Sequence, residues 1–183
     1  MAYVVAVSGI SGAGKSSVIR CAVDLLGDAT ALNFDDYAAV SAYPSDLRAW
    51  IERGANVDEW RTPELADAVR RLRAGPTAVV LVEEPFGRLR REMAGLIDLA
   101  VHLDVPGDVL LARRLLRQIE ERRDVDQLIE QLRLDVMHHL AVGRELDALG
   151  SSAVRDAADV VVDGTKSVDE VAAEVVDEVR RRL

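Results

Sequence analysis

Residues 3 to 7, YVVAV, form an unbroken aliphatic and aromatic run, the pattern of a strand covered on both faces. A glycine-rich turn follows. Val18, Ile19, Ala22, Val23 and Leu26 then repeat at helical spacing until Gly27, a residue suited to stopping a helix. The same alternation runs to the end of the chain. Short apolar runs predict further strands over 31–34, 78–82, 98–105 and 158–163, while 3.6-residue periodicity predicts helices over 63–73, 86–95, 106–121, 124–149 and 168–182. In the last of these, Val168, Val171, Ala172, Val175, Val176 and Val179 share one face.

Strands that alternate with helices predict a parallel sheet with helices on both faces. The expected fold is a three-layer α/β domain with a parallel sheet of about five strands. Sites in such sheets lie at the carboxyl ends of the strands, and Gly9, Asp35, Glu83 and Asp104 all follow predicted strand ends.

Composition narrows the class. No composition shift divides the 183 residues, so one domain over 1–183 is expected. With 49% hydrophobic and 30% charged residues, the chain reads as globular rather than disordered. No apolar run approaches the roughly 18 to 20 residues of a membrane span, which leads to an expected cytoplasmic location. The net charge of −9 argues against nucleic acid or an anionic membrane as partner. The single cysteine, Cys21, fits a small core residue, and no Cys/His spacing suggests zinc.

The turn after the first strand carries the chemistry. Gly9-Ile-Ser-Gly-Ala-Gly14-Lys15-Ser16 fits GxxxxGKS between a strand and a helix, the arrangement in which backbone N–H groups cradle phosphate at a helix N-terminus. The domain is therefore expected to be of the P-loop type and to bind ATP. Gly9, Ser11, Gly12, Ala13, Gly14, Lys15, Ser16 and Ser17 are the expected phosphate-binding residues. Lys15 is one of two lysines beside 21 arginines, and a compact ammonium suits the β- and γ-phosphates better than a guanidinium fork. The Ser16 hydroxyl suits Mg²⁺. A P-loop fixes nucleotide binding but no reaction; with no NKxD guanine-reading motif in the chain, a small-molecule kinase and an ATP-driven binding protein remain.

Three acidic or basic groups bear on that choice. Asp35 and Asp36 follow the second predicted strand, where a carboxylate can take the proton of an attacking hydroxyl or simply cap a turn. If the segment stays extended, their side chains point to opposite sides. Glu83 ends the 78–82 run, in position for a magnesium-side acid, with Glu84 directed the other way. Residues 110–124 hold Arg113, Arg114, Arg117, Arg122 and Arg123, which make either a solvated helix face or a set of cations that close over phosphates.

Taken in order, SGISGAGKSS, FDDY, VVLVEEPF, DVLLARRLLRQIEERRDVDQLIEQ and ADVVVDG resemble the uridine kinase family of P-loop kinases over residues 4 to about 164. The resemblance implies ATP and Mg²⁺ as cofactors and a small hydroxylated acceptor, a nucleoside first. It implies Asp35 as general base with Asp36 as substitute, Lys15 at the transferred phosphate, Glu83 with Ser16 beside the metal, and Arg113, Arg117 and Arg123 as arginines of a lid over 106–124. The segment after the aspartates lacks the family's nucleoside-binding sequence, and Gln118 stands where an acidic residue follows the lid arginine. Phosphoryl transfer is thus better supported than uridine specificity. A kinase of another small alcohol, such as an antibiotic or a vitamin precursor, and a nucleotide-binding regulator without kinase activity are the alternatives.

Residues 37–75 are the expected acceptor segment. Tyr37, Tyr43, Trp50 and Trp60 concentrate there in a chain with only 4% aromatics, either as a wall for a flat ligand with Arg61 at its edge or as packing anchors. His102, His138 and His139 have no partners at catalytic spacing and read as structural.

Overall fold

The computed structural model describes residues 1–121 and 124–183. Among them, five parallel strands form one sheet in the order β2-β3-β1-β4-β5: β1 (Tyr3–Ser8), β2 (Ala29–Leu32), β3 (Val79–Glu83), β4 (Leu99–Asp104) and β5 (Val160–Asp163). Strand β1 is central, and period-2 alternation divides its side chains between two cores. Val5 and Val7 pack with Val18, Ile19 and Ala22 of α1 (Lys15–Leu26) and with Val171, Val175 and Val179 of α8 (Val168–Arg180). Val4 and Ala6 face Leu65, Ala66 and Val69 of α3 (Pro63–Arg73) and Met93 of α4 (Arg91–Ala94). Helices thus cover both faces, as the alternation predicts.

Three predicted elements differ from those observed. The second strand ends at Leu32, and Phe34 turns into a 3₁₀ segment, Asp35–Val40. Phe34 is apolar because its side chain is buried in the core, and its backbone is helical at φ −60°, ψ −43°. The helix expected over 86–95 shrinks to α4; Gly87 at φ +55° shapes the turn before it, and Arg90 is extended. The helix expected over 124–149 continues to Asp156. It runs as α6 (Val125–His138), a π-helical turn (His139–Gly143) and α7 (Arg144–Asp156). In that widened turn the missing Cβ of Gly143 leaves room for the His139 ring, whose Nδ1 would lie only 3.1 Å from it.

The remaining helices are α2 (Leu47–Glu52) and α5 (Gly107–Glu121). No helix among the described residues is long and apolar enough to cross a membrane.

Candidate active site

The β1–α1 turn owes its shape to glycine. Gly9, Gly12 and Gly14 have φ of +142°, +93° and +90°, in the region that side-chain-bearing residues avoid. At Gly12 a Cβ would also stand 2.8 Å from the Leu110 carbonyl oxygen, so α5 lies directly on the loop. Around Gly14 the space is open, which leaves the α1 N-terminus free to receive an anion.

Lys15 and Glu83 meet at this turn. Lys15 is 8% exposed, with its Nζ 3.4 Å from Glu83 Oε1 and 3.4 Å from the Ile10 carbonyl oxygen. Burial pushes the Lys15 ammonium below its usual pKa; Glu83 and Asp35 pull it back up, and Arg117 pushes it further down. Asp35 and Arg117 therefore both act electrostatically on Lys15. The Ser16 hydroxyl donates to Glu83 Oε2 at 2.8 Å. A hydroxyl and a carboxylate are hard oxygen donors, and Mg²⁺ favours a site that supplies one or two of these and leaves its other positions to water and phosphate. The residues present fit that ion.

One cleft of about 550 Å³ joins these groups to others far away in sequence. Its phosphate end is lined by Gly9, Ser11, Gly12, Gly14, Lys15, Ser16, Ser17, Glu83, Arg113 and Arg117. Its other end is lined by Asp35, Phe34, Trp50, Trp60, Pro85 and Phe86. The rings form a continuous wall: Trp60 lies 5.0 Å from Tyr43, 5.9 Å edge-on from Trp50 and 5.5 Å from Phe86, while Tyr43 stacks on Phe34 at 5.9 Å. Trp50 is 4% exposed and donates its indole N–H to the Asn56 carbonyl oxygen, so it anchors the segment as well as lining it.

Other expected site residues lie elsewhere. Ala13 is buried beneath the loop. Asp36 accepts from the Asn33 amide at 3.0 Å and does not line the cleft. Neither do Tyr37, which packs on the α3 side of the sheet, Tyr43, which backs the wall, or Arg61, whose backbone pairs with Ala42. Because the aspartates occupy a 3₁₀ turn, strand alternation does not apply to them; helical rotation separates them instead. Arg123 lies outside the described residues. Arg113 reaches the Gly164 carbonyl oxygen at 3.0 Å, and Gln118 donates to Asp135.

Several cleft residues had no signal in the sequence. Asp147 of α7 lines the cleft and pairs with Arg114 at 3.0 Å, and Arg114 also donates to the Ser11 carbonyl oxygen at 3.2 Å. Arg114 ties α5 in this way to the β1–α1 turn and to α7. Behind the aromatic wall, Arg90 and Glu84 form a fully buried ion pair. Burial raises the Glu84 carboxyl above its ordinary range, against the opposing pull of Arg90.

Residues 57–141 match the model of the Phosphoribulokinase / Uridine kinase family. That stretch contains Glu83 and the arginine helix but begins after the phosphate loop, so the loop geometry is separate support. The uridine kinase of Borreliella burgdorferi (strain ZS7) is 28% identical over 155 residues, spanning 72% of this chain and 75% of that protein. The chain is a P-loop small-molecule kinase that resembles the uridine kinases.

A further relative of this kinase, the uridine kinase of Clostridium tetani, is 37% identical over 57 residues, 31% of this chain and 27% of that protein. Solved structures support the fold alone. Shikimate kinase from Acinetobacter baumannii, in complex with shikimate, has a TM-score of 0.60 at 16% identity and covers 100% of this chain and 95% of its own. A gluconokinase from Sinorhizobium meliloti has a TM-score of 0.57 at 21% identity and covers 98% and 92%.

Proposed function

We propose that this kinase transfers the γ-phosphoryl group of ATP, with Mg²⁺, to a hydroxyl of a small uncharged acceptor with a flat face, a nucleoside being the first choice. The observation that carries this reading is that Asp35 lines the same cleft as Lys15, Ser16 and Glu83 and the rings of Phe34, Trp50, Trp60 and Phe86, and acts electrostatically on Lys15. The acceptor hydroxyl oxygen bonds to the γ-phosphorus and its proton passes to the Asp35 carboxylate. The bridging P–O bond to ADP breaks, and the products are ADP and a phosphate monoester. Lys15 holds the β- and γ-phosphates, and Arg113 and Arg117 face the same end and balance the charge that develops there. Ser16 and Glu83 would hold Mg²⁺, which would supply neutralisation of phosphate charge.

The uncharged acceptor follows from the cations. Lys15, Arg113 and Arg117, the described cations that line the cleft, are at its phosphate end, and the buried Arg90 is matched by Glu84. A carboxylate on the acceptor would face aromatic rings and Asp35, an environment that penalises an unpaired anion.

The test is to incubate the protein with ATP and each of a panel of nucleosides and other alcohols, with Mg²⁺ or with EDTA, and to weigh the products. A nucleoside heavier by one phosphoryl group, formed only with Mg²⁺, is the expected result. ATP hydrolysis with no phosphorylated acceptor would defeat the reading.

A further inference from the structure

Arg90 is 0% exposed, yet it carries a charge into the protein one layer behind the acceptor wall. Its Nε donates to Glu84 Oε1 at 3.0 Å and its Nη2 pairs with Glu84 Oε2, a two-pronged contact. Its Nη1 donates to the Trp60 carbonyl oxygen at 2.6 Å, to Thr62 Oγ1 at 2.8 Å and to Glu92 Oε1 at 2.9 Å. The guanidinium also lies 5.4 Å from the Phe34 ring centroid and 6.0 Å from that of Phe86. Glu84 adds a contact of its own, accepting from the Phe86 backbone N–H at 3.3 Å. Three wall residues, Phe34, Trp60 and Phe86, thus come from separate segments and are all held by this one pair.

A buried ion pair is poor evidence for stability, because the desolvation of both charges roughly cancels their attraction and apolar replacements of the whole pair are often tolerated. Its distinctive property is geometry: a guanidinium offers five donors in a fixed plane, so each of its partners is held in one place. Glu84 also follows Glu83 directly, which connects the wall to the residue that touches Lys15 and Ser16.

We infer that the Glu84–Arg90 pair is a positioning device for the acceptor half, holding Phe34, Trp60 and Phe86 in register with the phosphate end. This rests on the acceptor assignment above. It makes Arg90 a positioning residue, since the guanidinium does not line the cleft.

The experiment compares the wild type, Arg90→Lys, and the double variant Glu84→Gln/Arg90→Met, which removes both buried charges together and so leaves neither unpaired. Three quantities are read: KM and kcat for a nucleoside that the wild type phosphorylates, the affinity for a nonhydrolysable ATP analogue with Mg²⁺, and tryptophan emission. Both tryptophans of the chain, Trp50 and Trp60, are in the wall, so the emission reports on it alone. In the folded double variant, acceptor KM should rise about tenfold while analogue affinity stays within about twofold, and emission should move to longer wavelength. Arg90→Lys, which keeps the charge but loses the fork, should fall between. Acceptor KM and emission equal to the wild type in either folded variant would overturn the inference, as would a parallel loss of analogue affinity. If the wild type phosphorylates no acceptor, the function reading fails by itself, and emission and analogue affinity still decide whether the pair holds the wall.

Discussion

The two ends of the cleft are built in opposite ways. The phosphate end is local: eight residues between Gly9 and Ser17 line it, and three glycines at positive φ set the shape of the turn. The acceptor end is assembled from Phe34 and Asp35 after β2, Trp50 in α2, Trp60 before α3 and Phe86 after β3. Side chains do the work there, and a buried ion pair fixes their arrangement. A site made largely of backbone is sensitive chiefly at its glycines and at the few side chains, Lys15 and Ser16, that reach into it. A site made of side chains can be retuned by a single replacement.

The largest expected effect separates the two ends cleanly. Asp35→Asn should lower phosphoryl transfer by about 10² to 10⁴ while leaving ATP binding intact, because shape is kept and only the base is lost. Transfer rates beside analogue affinities check this. Lys15→Ala should act on both quantities, lowering kcat by about 10² to 10³ and weakening the nucleotide as well. Arg117→Ala should lower kcat about tenfold with little change in ATP affinity, since it acts on charge that develops during transfer. An equal loss in both would place Arg117 in ground-state binding.

Smaller effects probe the scaffold. Gly12→Ala puts a Cβ against the Leu110 carbonyl oxygen at a φ of +93°, and should cost about 1 to 3 kcal/mol, visible as a drop of several degrees in Tm. Asp36→Asn should change turnover by less than about twofold, because Asp36 bonds Asn33 outside the cleft. A larger loss for Asp36→Asn than for Asp35→Asn would move the base by one residue.

How much of this was legible in the sequence follows the same division. Unbroken apolar runs marked β1, β3 and β4 because those strands are buried along nearly their whole length, and β5 showed through its valines although only Val162 of that strand is buried. GxxxxGKS could be read at once because its geometry is encoded by neighbours. Strand β2 was misplaced by two residues, since the burial of Phe34 under the wall looks in sequence the same as burial in a sheet. The break at His139–Gly143 was hidden because a π-turn keeps the helical residues and shifts only their phase. The pairs Glu84–Arg90 and Arg114–Asp147 were invisible for another reason. Each joins ordinary charged residues, and only the fold brings Asp147 to Arg114 or closes Arg90 away from solvent.

The central claim is that the acceptor end takes a neutral, flat alcohol and disfavours a carboxylate. The most direct measurement offers uridine, shikimate and gluconate separately at equal concentration with Mg²⁺ and ATP, and compares kcat/KM for phosphorylated product. The account predicts that uridine is phosphorylated at least about a hundredfold more efficiently than either acid, the size expected when a charged group is left unpaired in an apolar site. Efficient phosphorylation of shikimate or gluconate, with uridine untouched, would contradict it.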